Sequence, residues 1–554
     1  MQVRACSQLT MKEKIGQMLM VGFEGLTPDA NIGNLLQNHF IGGVVFFSRN
    51  LDNPEQAFAL TKKLQQTAAG ATGIPLWIGT DQEGGMVVRL RQGIAQLPAA
   101  MALGAARDPL LLYEAAKGTA MELKLLGINM NFAPVVDINV NPRNPIIDVR
   151  AYGDEAELVA ELGIAAMLGF QDGGIVSVIK HFPGHGDTEV DSHAELPVVR
   201  HSLDRLRSVE LVPFRRCARA GAEAVMTAHV GIPLLSGGLS VPATHSHEVL
   251  TGLLREELDF KGLIVTDCME MNAVTQGIGV GEAVVRAVLA GADLLLVSHT
   301  YESQLEAAAA LEHAVADGRL SEARIDASVE RILLLKELRI GALRERSWEE
   351  TRTYLDHSQT LRTIKLLREK SITSVNREPN FCQLSSEVDT LVLWPQMAAA
   401  CKSEDEPIYD DTLGSFLNPL MKAKFMERLY GTGPSTDEIA DLVSEAEGYG
   451  QIIVGIFHTA SNHGQTVLVR KLLAGGNKVI PISLRNPVDL AAFPEAKGFL
   501  ACYEHHPLTL QALSSVLLGK LEPEGTLPVT LPDYSLEGGE SYERGTASRV
   551  ESAT

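Results

Sequence analysis

The sequence lacks three features that would place it in a specialised class of protein. Its six cysteines are scattered over 554 residues without a CxxC pair, so neither a disulfide framework nor a cysteine zinc site is indicated. No apolar run approaches the ~20 residues that span a bilayer. Lysine and arginine number 48 against 69 acidic residues, a net charge of −21. That balance argues against nucleic-acid or anionic membrane partners, which require a basic face.

The N-terminal segment also lacks a targeting signal. It has no long apolar core behind a basic start and no small-residue cleavage site. We therefore expect a cytoplasmic location, with secretion only if a leader has been removed. With 45% hydrophobic and 21% charged residues, the composition is that of a globular chain, and its length predicts one large and one smaller domain.

Short apolar runs recur along the first 300 residues, separated by stretches with apolar residues at helical spacing. Continuous apolar strands are typical of a parallel sheet that is covered on both faces. Eight strand–helix alternations predict an α/β fold with a (β/α)8 TIM-type barrel, and a doubly wound open sheet is the alternative. The runs are 18–25, 42–50, 75–85, 129–137, 176–186, 222–230, 262–271 and 292–300.

The pattern changes after residue 340. We predict that residues 1–340 form the barrel and that the charged, helix-prone stretch 341–384 is a connector. A second strand–helix rhythm with fewer strands occupies 385–535 and predicts a smaller α/β sandwich domain. The tail 536–554 is polar and rich in small residues, so we expect it to be disordered.

Polar residues cluster where the predicted barrel strands end. Barrels of this type carry their active sites at that edge. Any strand that leaves a core ends in polar residues, but carboxylates, histidines and a lysine at one edge indicate a functional site. The residues are Asp81 and Glu83 after the third run, Asp137 after the fourth, 180–193 after the fifth, His229 after the sixth and Asp267 after the seventh.

The stretch KHFPGHGDTEVDSH, residues 180–193, invites a metal-site interpretation, which we reject. Pro183 and two glycines prevent the helix that would align its histidines, and Lys180 would repel a cation. We therefore expect no metal. The ligands considered are His181, His185, Asp187, Asp191 and His193.

Two other interpretations suit different parts of the same stretch. His185 and Asp187 are flanked by turn-forming glycines and are best explained as structural groups of the loop. Asp191 lies two residues from His193, where a carboxylate can fix the imidazole tautomer and raise the basicity of the other ring nitrogen. That pair is suited to proton transfer near neutral pH.

These motifs together resemble glycoside hydrolase family 3, in its β-N-acetylhexosaminidase branch. The resemblance covers nearly the whole chain except the tail, and its most specific part is KHFPGHG followed by DSH. It implies a barrel with an attached α/β sandwich domain, and no cofactor. It also implies a retaining, exo-acting enzyme that releases terminal β-linked N-acetylglucosamine from cell-wall or chitin fragments. The further matching motifs are EKIGQMLMVGFEG, GTDQEGG, NFAPVVDI, DVRAYG, VTDCMEM and SVERIL.

The resemblance implies roles for eight residues. Asp267 matches the nucleophile that attacks the anomeric carbon, and His193 matches the residue that protonates the leaving oxygen and later activates water. Asp191 matches the partner of that histidine. A histidine in place of the second carboxylate departs from the usual pair of retaining glycosidases. The residues that match holders of the sugar hydroxyls are Asp81, Arg89, Arg150, Lys180 and His181.

Two residues depart from the family pattern. Met86 stands where the family often has an arginine, and Cys268 follows the nucleophile where a small or acidic residue is frequent. The Cys268 thiol is either reactive or packed in the core. In the second domain, His458 and His463 are expected to be structural, because the DSH motif already supplies a proton donor. For His229, a core position and a place in the site wall are both open.

Three other functions stay open. A histidine shuttle carries no negative charge, so phosphate could replace water as acceptor and make the protein a β-N-acetylglucosaminide phosphorylase. The KHFPGHG–DSH combination argues against a β-glucosidase or β-xylosidase. The presence of Asp267, Asp191 and His193 argues against an inactive sugar-binding protein. The three tryptophans, 77, 348 and 394, form no row that would grip a polysaccharide, so we expect a small carbohydrate partner. The oligomeric state is not indicated.

Overall fold

The chain forms two compact units in the computed structural model. The first unit comprises Met1–Leu97, Pro109–Ala151 and Ala156–Leu361, and the second comprises Pro98–Asp108, Tyr152–Glu155 and Arg362–Thr554. The predicted tail 536–554 lies outside the described residues, as do residues 341–345 of the predicted connector. The structure describes residues 4–189, 195–235, 238, 240–340, 346–355, 358–376, 378–397, 407, 409–459 and 462–531.

Eight parallel strands close the first unit into a barrel. Each apolar run supplies one strand, the strands follow chain order around the barrel, and the last pairs with the first. The prediction of a TIM-type barrel is confirmed, and the open-sheet alternative is wrong. The barrel strands are β1 (Leu19–Val21), β2 (Gly43–Phe46), β3 (Trp77–Thr80), β6 (Met130–Asn131), β7 (Val176–Phe182), β8 (Ala224–Thr227), β9 (Leu263–Cys268) and β10 (Leu294–Val297). A separate hairpin follows β3 and consists of β4 (Gln82–Gly84) and β5 (Val87–Val88).

Helices alternate with these strands and begin and end at the expected signals. The Asn53 side chain accepts the Gln56 N–H at 3.0 Å, Pro54 takes the first helical position, and Gly73 ends that helix in the left-handed conformation. The helices of the first unit are α1 (Met11–Gln17), α2 (Ala30–Asn38), α3 (Pro54–Thr72), α5 (Pro109–Leu125), α6 (Ala156–Asp172), α7 (Leu203–Ser208), α8 (Leu211–Arg219), α9 (Asn272–Thr275), α10 (Gly279–Ala290), α11 (Tyr301–Ala316), α12 (Glu322–Arg339) and α13 (Trp348–Arg352). A helix of π type spans Glu248–Glu257, α4 (Ala100–Ala106) belongs to the second unit, and α14 (Ser358–Ser371) runs from one unit into the other.

The fourth barrel strand is interrupted soon after it begins. Only Met130 and Asn131 form a regular strand, because Pro134 has no N–H to donate to the ladder. Pairing resumes further on, where the Val136 N–H donates to the Lys180 carbonyl at 2.7 Å. The next residue, Asp137, is thereby held beside the carboxyl end of β7.

The second unit is built on a six-stranded sheet in the order β11-β16-β15-β14-β12-β13. Its strands are parallel except β11, which is antiparallel to β16 and lies within the stretch expected to be a connector. The strands are β11 (Thr373–Asn376), β12 (Thr390–Pro395), β13 (Phe425–Tyr430), β14 (Gln451–Ile456), β15 (Lys478–Ser483) and β16 (Gly498–Ala501). The other helices of this unit are α15 (Leu413–Leu417), α16 (Thr436–Ala446), α17 (His463–Ala474) and α18 (Pro507–Leu517).

His458 and His463 occupy the second unit. The His458 N–H donates to Asp489 Oδ2 at 2.8 Å and its ring packs against Phe457, while His463 begins α17. In the part of the chain that the structure describes, no helix is long and apolar enough to cross a bilayer.

Asp293 anchors the amino-terminal end of the barrel. Its fully buried carboxylate accepts the Ile264 N–H at 3.1 Å, the Ser328 hydroxyl at 2.6 Å and the Arg331 guanidinium at 3.0 Å. It also pairs with Arg255 of the π-type helix. One buried charge therefore ties β9 to two of the surrounding helices, away from the polar edge of the barrel.

We expect Asp293→Ala to lower the free energy of unfolding by ~3–5 kcal/mol, because it leaves buried guanidinium groups without their carboxylate. Urea denaturation measures the loss. The control is Asp204→Ala, which removes a carboxylate that is 96% exposed and pairs at the surface with Arg207. That change should cost no more than ~1 kcal/mol. Equal effects of the two substitutions would contradict the anchoring role of Asp293.

Candidate active site

The β4–β5 hairpin brings Asp81 and Arg89 together. The Gln82 side chain accepts the N–H groups of Arg89 and Leu90, both at 3.1 Å, and so closes the hairpin. The Arg89 side chain lies beside Asp81, with 3.5 Å between its Nη2 and Asp81 Oδ2. Met86, the departure from the family pattern, lies half-buried in the hairpin turn.

Lys180 lies at the carboxyl end of β7 and is almost fully buried. Its Nζ donates to Asp81 Oδ1 at 2.7 Å and forms an ion pair with Glu83 Oε1 at 2.6 Å. Burying an ammonium group is costly unless carboxylates compensate its charge. The two acids after β3 supply that compensation.

Arg150 joins the same cluster from the short turn that follows β6. Its Nε donates to Glu83 Oε2 at 2.9 Å and its Nη2 to Glu83 Oε1 at 2.8 Å, a bidentate pair. Burial would raise the pKa of the Glu83 carboxyl, but the charges of Arg150 and Lys180 outweigh burial and hold that pKa well below its usual range. Burial would lower the pKa of Arg150, and Glu83 raises it instead.

His181 is oriented by a buried carboxylate. Its Nδ1 lies 2.6 Å from Asp137 Oδ2, and its backbone N–H also donates to the same side chain. Burial would raise the pKa of Asp137, but the charge and hydrogen bond of His181 lower it, so Asp137 is the acceptor. Because Nδ1 binds Asp137, Nε2 is the ring nitrogen of His181 that can bind another group.

The loop after β7 is shaped by its glycines. Gly184 has a φ of +130°, and a Cβ on Gly186 would lie 1.8 Å from the Ile138 carbonyl oxygen, so no side chain fits there. The His185 N–H donates to Asp137 Oδ1 at 2.7 Å, its Nδ1 meets the Thr188 hydroxyl at 2.7 Å, and burial lowers its pKa to about 4. His185 and Asp187, which pairs with His201, thus act as structural groups of the loop.

No cluster of three or more histidine, cysteine, aspartate or glutamate side chains within the described ranges could hold a metal ion. In the described part of the loop, His181 contacts Asp137 and His185 contacts Thr188.

Asp267 lies near the end of β9 and keeps partial exposure at the same edge. The Cys268 N–H donates to its Oδ1 at 2.7 Å. Burial would raise the pKa of Asp267, but the charges of His229, His181 and Lys180 lower it below its ordinary value. The carboxylate therefore stays ionised under mildly acidic conditions.

The neighbours of Asp267 are packed in the core. His229 is 1% exposed, and its ring nitrogens meet the Cys268 carbonyl at 2.9 Å and the Thr244 hydroxyl at 2.8 Å. That favours a core position behind β9 over a place in the site wall. Burial raises the pKa of the Cys268 thiol to about 11, which favours a packed thiol over a reactive one.

The structure thus brings Asp81, Arg89, Arg150 and Lys180 into one cluster. His181 follows Lys180, and the charge of Lys180 reaches Asp267. Asp191 and His193 lie outside the described residues. The sequence analysis placed Glu83 and Asp137 at strand ends but gave them no role. That position is the feature of the sequence that could have indicated a place in the site.

Comparisons with known proteins identify the family of the chain. The sequence profile described as "Glycosyl hydrolase family 3 N terminal domain" matches residues 10–335. A solved glycoside hydrolase family 3 β-N-acetylglucosaminidase from Paenibacillus sp. strain FPU-7 is 45% identical, with a TM-score of 0.88. The match covers 94% of this chain and 99% of that one.

Two further relatives align along most of their length. Beta-hexosaminidase A of Pseudoalteromonas piscicida is 28% identical, with 94% of this chain and 97% of its own covered. A protein of Cellulomonas fimi named beta-N-acetylglucosaminidase/beta-glucosidase is 27% identical, with 93% of each chain covered.

The family profile spans the barrel that carries the carboxylates and cations described above, and the similarity to the Paenibacillus enzyme continues through the second unit. The chain therefore belongs to glycosyl hydrolase family 3, and it is a glycoside hydrolase.

Proposed function

We propose that this glycoside hydrolase is a retaining, exo-acting β-N-acetylglucosaminidase with Asp267 as its nucleophile. The observation that carries the proposal is the ionised, partly exposed Asp267 carboxylate at the same barrel edge as the cluster of Asp81, Arg89, Arg150 and Lys180. A retaining glycosidase needs a carboxylate on one side of the glycosidic bond and hydrogen-bonding groups that fix the sugar beside it.

In the first step, an Asp267 oxygen attacks the anomeric carbon and forms a glycosyl ester while the bond to the leaving oxygen breaks. His193 gives its proton to that oxygen. Because the transition state is oxocarbenium-like, the ionised Asp267 also stabilises it electrostatically. Asp191 accepts a hydrogen bond from the other imidazole nitrogen and fixes the tautomer of His193.

In the second step, His193 removes a proton from water, and the resulting nucleophile attacks the anomeric carbon. The ester bond to Asp267 breaks, and the carboxylate is restored. His193 then holds the proton that the next leaving group requires. The sugar leaves with the configuration it had in the substrate.

The buried cluster serves to hold the terminal sugar. We assign Asp81, Arg89, Arg150, Lys180 and His181 to its hydroxyl groups, because charge-assisted hydrogen bonds are directional and stronger than neutral ones.

For the substrate, we propose small soluble glycans with a terminal β-linked N-acetylglucosamine, derived from cell wall or chitin, and for the enzyme a cytoplasmic location and a role in cell-wall recycling. The name of the Paenibacillus relative supports the acetamido sugar. The name of the Cellulomonas relative includes β-glucosidase, so the test must compare both sugars.

The test is release of nitrophenol from its β-N-acetylglucosaminide and its β-glucoside, each with and without phosphate. We expect the acetamido sugar to be preferred and phosphate to have no effect. Strong phosphate dependence, with a sugar phosphate as product, would make the enzyme a phosphorylase at the same site. Preference for the glucoside would overturn the proposed sugar, and binding without turnover would indicate an inactive sugar-binding protein.

Asp267→Ala should lower kcat by at least ~10³-fold, because it removes the carboxylate that forms the glycosyl ester. Circular dichroism and the melting temperature should stay close to those of the native chain, since the Asp267 carboxylate lies at the barrel edge and accepts the N–H of Cys268, the next residue. Asp204→Ala, which removes a surface carboxylate, is the control with full activity. Retained turnover in Asp267→Ala would exclude this residue as the nucleophile.

His193→Ala should lower kcat/KM by ~10²–10⁴-fold for alkyl or sugar leaving groups, which need protonation, and far less for activated aryl leaving groups. Only kcat/KM is diagnostic, because kcat also contains the second step, in which His193 activates water. Asp191→Asn should show a weaker form of the same dependence. Equal losses on both classes of substrate would count against the assigned proton donor.

A further inference from the structure

Glu83 is shared by two buried cations. Its Oε2 accepts from Arg150 Nε at 2.9 Å, and its Oε1 accepts from Arg150 Nη2 at 2.8 Å and pairs with Lys180 Nζ at 2.6 Å. The side chain is 7% exposed. Arg150 and Lys180 account for every contact recorded for this carboxylate in the described ranges.

We propose that Glu83 is a positioning residue, which acts on the sugar through Arg150 and Lys180 without touching it. This inference rests on the proposed function, in which those two cations hold hydroxyl groups of the terminal sugar. The proposed role of Glu83 differs from that of Asp81, the neighbouring acid, which we assign to direct contact with the sugar.

The donors left on the two cations support this role. An ammonium group has three N–H donors, and among the described residues Asp81 and Glu83 take two of those on Lys180, so one is not used by them. Arg150 has five N–H donors, of which two bind Glu83 and one the Ile146 carbonyl at 3.2 Å, so two are not used by these partners. Glu83 therefore fixes the direction of the donors that remain.

The shared carboxylate also explains why a glutamine would not replace it. Three N–H groups converge on two Glu83 oxygens. A carboxamide has a single oxygen, and its NH₂ group is a donor, so it would meet one of the two cations with a donor instead of an acceptor. Either Arg150 or Lys180 would lose its fixed orientation.

We expect Glu83→Gln to lower kcat/KM by about 10- to 100-fold, the range for lost charged hydrogen bonds. The matched control is Glu223→Gln. Glu223 is also a buried glutamate paired with an arginine, Arg339, but it lies just before β8 at the opposite end of the barrel. The control should lower the melting temperature without changing kcat/KM.

The decisive readout uses substrates that each lack one ring hydroxyl. If Glu83 acts through Arg150, both variants should depend on the same ring hydroxyl. On the substrate that lacks this hydroxyl, Arg150→Met should no longer lower kcat/KM, and Glu83→Gln should lower kcat/KM less than it does on the complete substrate. A merely structural role would lower kcat/KM equally for all these substrates. Equal penalties on every substrate, or native kcat/KM in Glu83→Gln, would overturn the proposal.

Two further experiments distinguish a failure of this proposal from a failure of the proposed sugar specificity. If the native enzyme prefers another glycoside, the same series is run on the deoxy analogues of that glycoside. If Glu83→Gln does not fold, Glu83→Asp is used, because it keeps the charge and shortens the reach. The loss of kcat/KM in Glu83→Asp should depend on the same single hydroxyl. An equal loss of kcat/KM on every deoxy substrate would overturn the proposal.

Discussion

The buried contact of one ammonium group with two carboxylates is the interaction on which the site depends. Lys180 lies 2.7 Å from Asp81 and 2.6 Å from Glu83, almost out of contact with solvent. Neither sign of charge could be buried there alone, because an isolated ion in a protein interior costs several kcal/mol, of order ~5 or more. Arg150 balances the charge of the two carboxylates and Arg89 adds a further cation beside Asp81, so the positions of five charged side chains depend on one another.

The barrel supplies this contact because its parallel strands end at one edge. Asp81 follows β3, Asp137 lies beyond β6, Lys180 is part of β7 and Asp267 is part of β9. The anchor at Asp293 lies at the other end, just before β10. The anchor and the proposed site therefore occupy opposite ends of the barrel.

The sequence predicted those parts of the fold that depend on local pattern. Each of the eight apolar runs became a barrel strand, because a strand buried on both faces contains few polar residues. β13 has no such apolar run, because it is an edge strand whose residues are mostly half-buried or exposed. The sequence also could not predict that Pro98–Asp108 belongs to the second unit. It depends on contacts such as the one between the Ala99 N–H and Glu504 Oε2 at 2.9 Å, which joins residues far apart in sequence.

The same distinction applies to the site. The residues proposed to hold the sugar and the proposed nucleophile could be named from the family resemblance, and several of them stand at strand ends. The orientation of His181 by Asp137 could not, because it requires the chain to resume pairing after Pro134. Nor could the sharing of Glu83, which depends on a hairpin and on the turn at Arg150 meeting in space. Pairing of side chains from separate loops is a property of the folded chain.

The most direct test of the account is the mass of the peptide that contains Asp267, taken from enzyme quenched in acid during turnover of an activated aryl glycoside. His193→Ala is the form to use, because without its base the second step is slow and the ester accumulates. The account predicts that this peptide gains the mass of one sugar residue, attached to Asp267. A sugar on another carboxylate, or no labelled peptide while turnover continues, would contradict it.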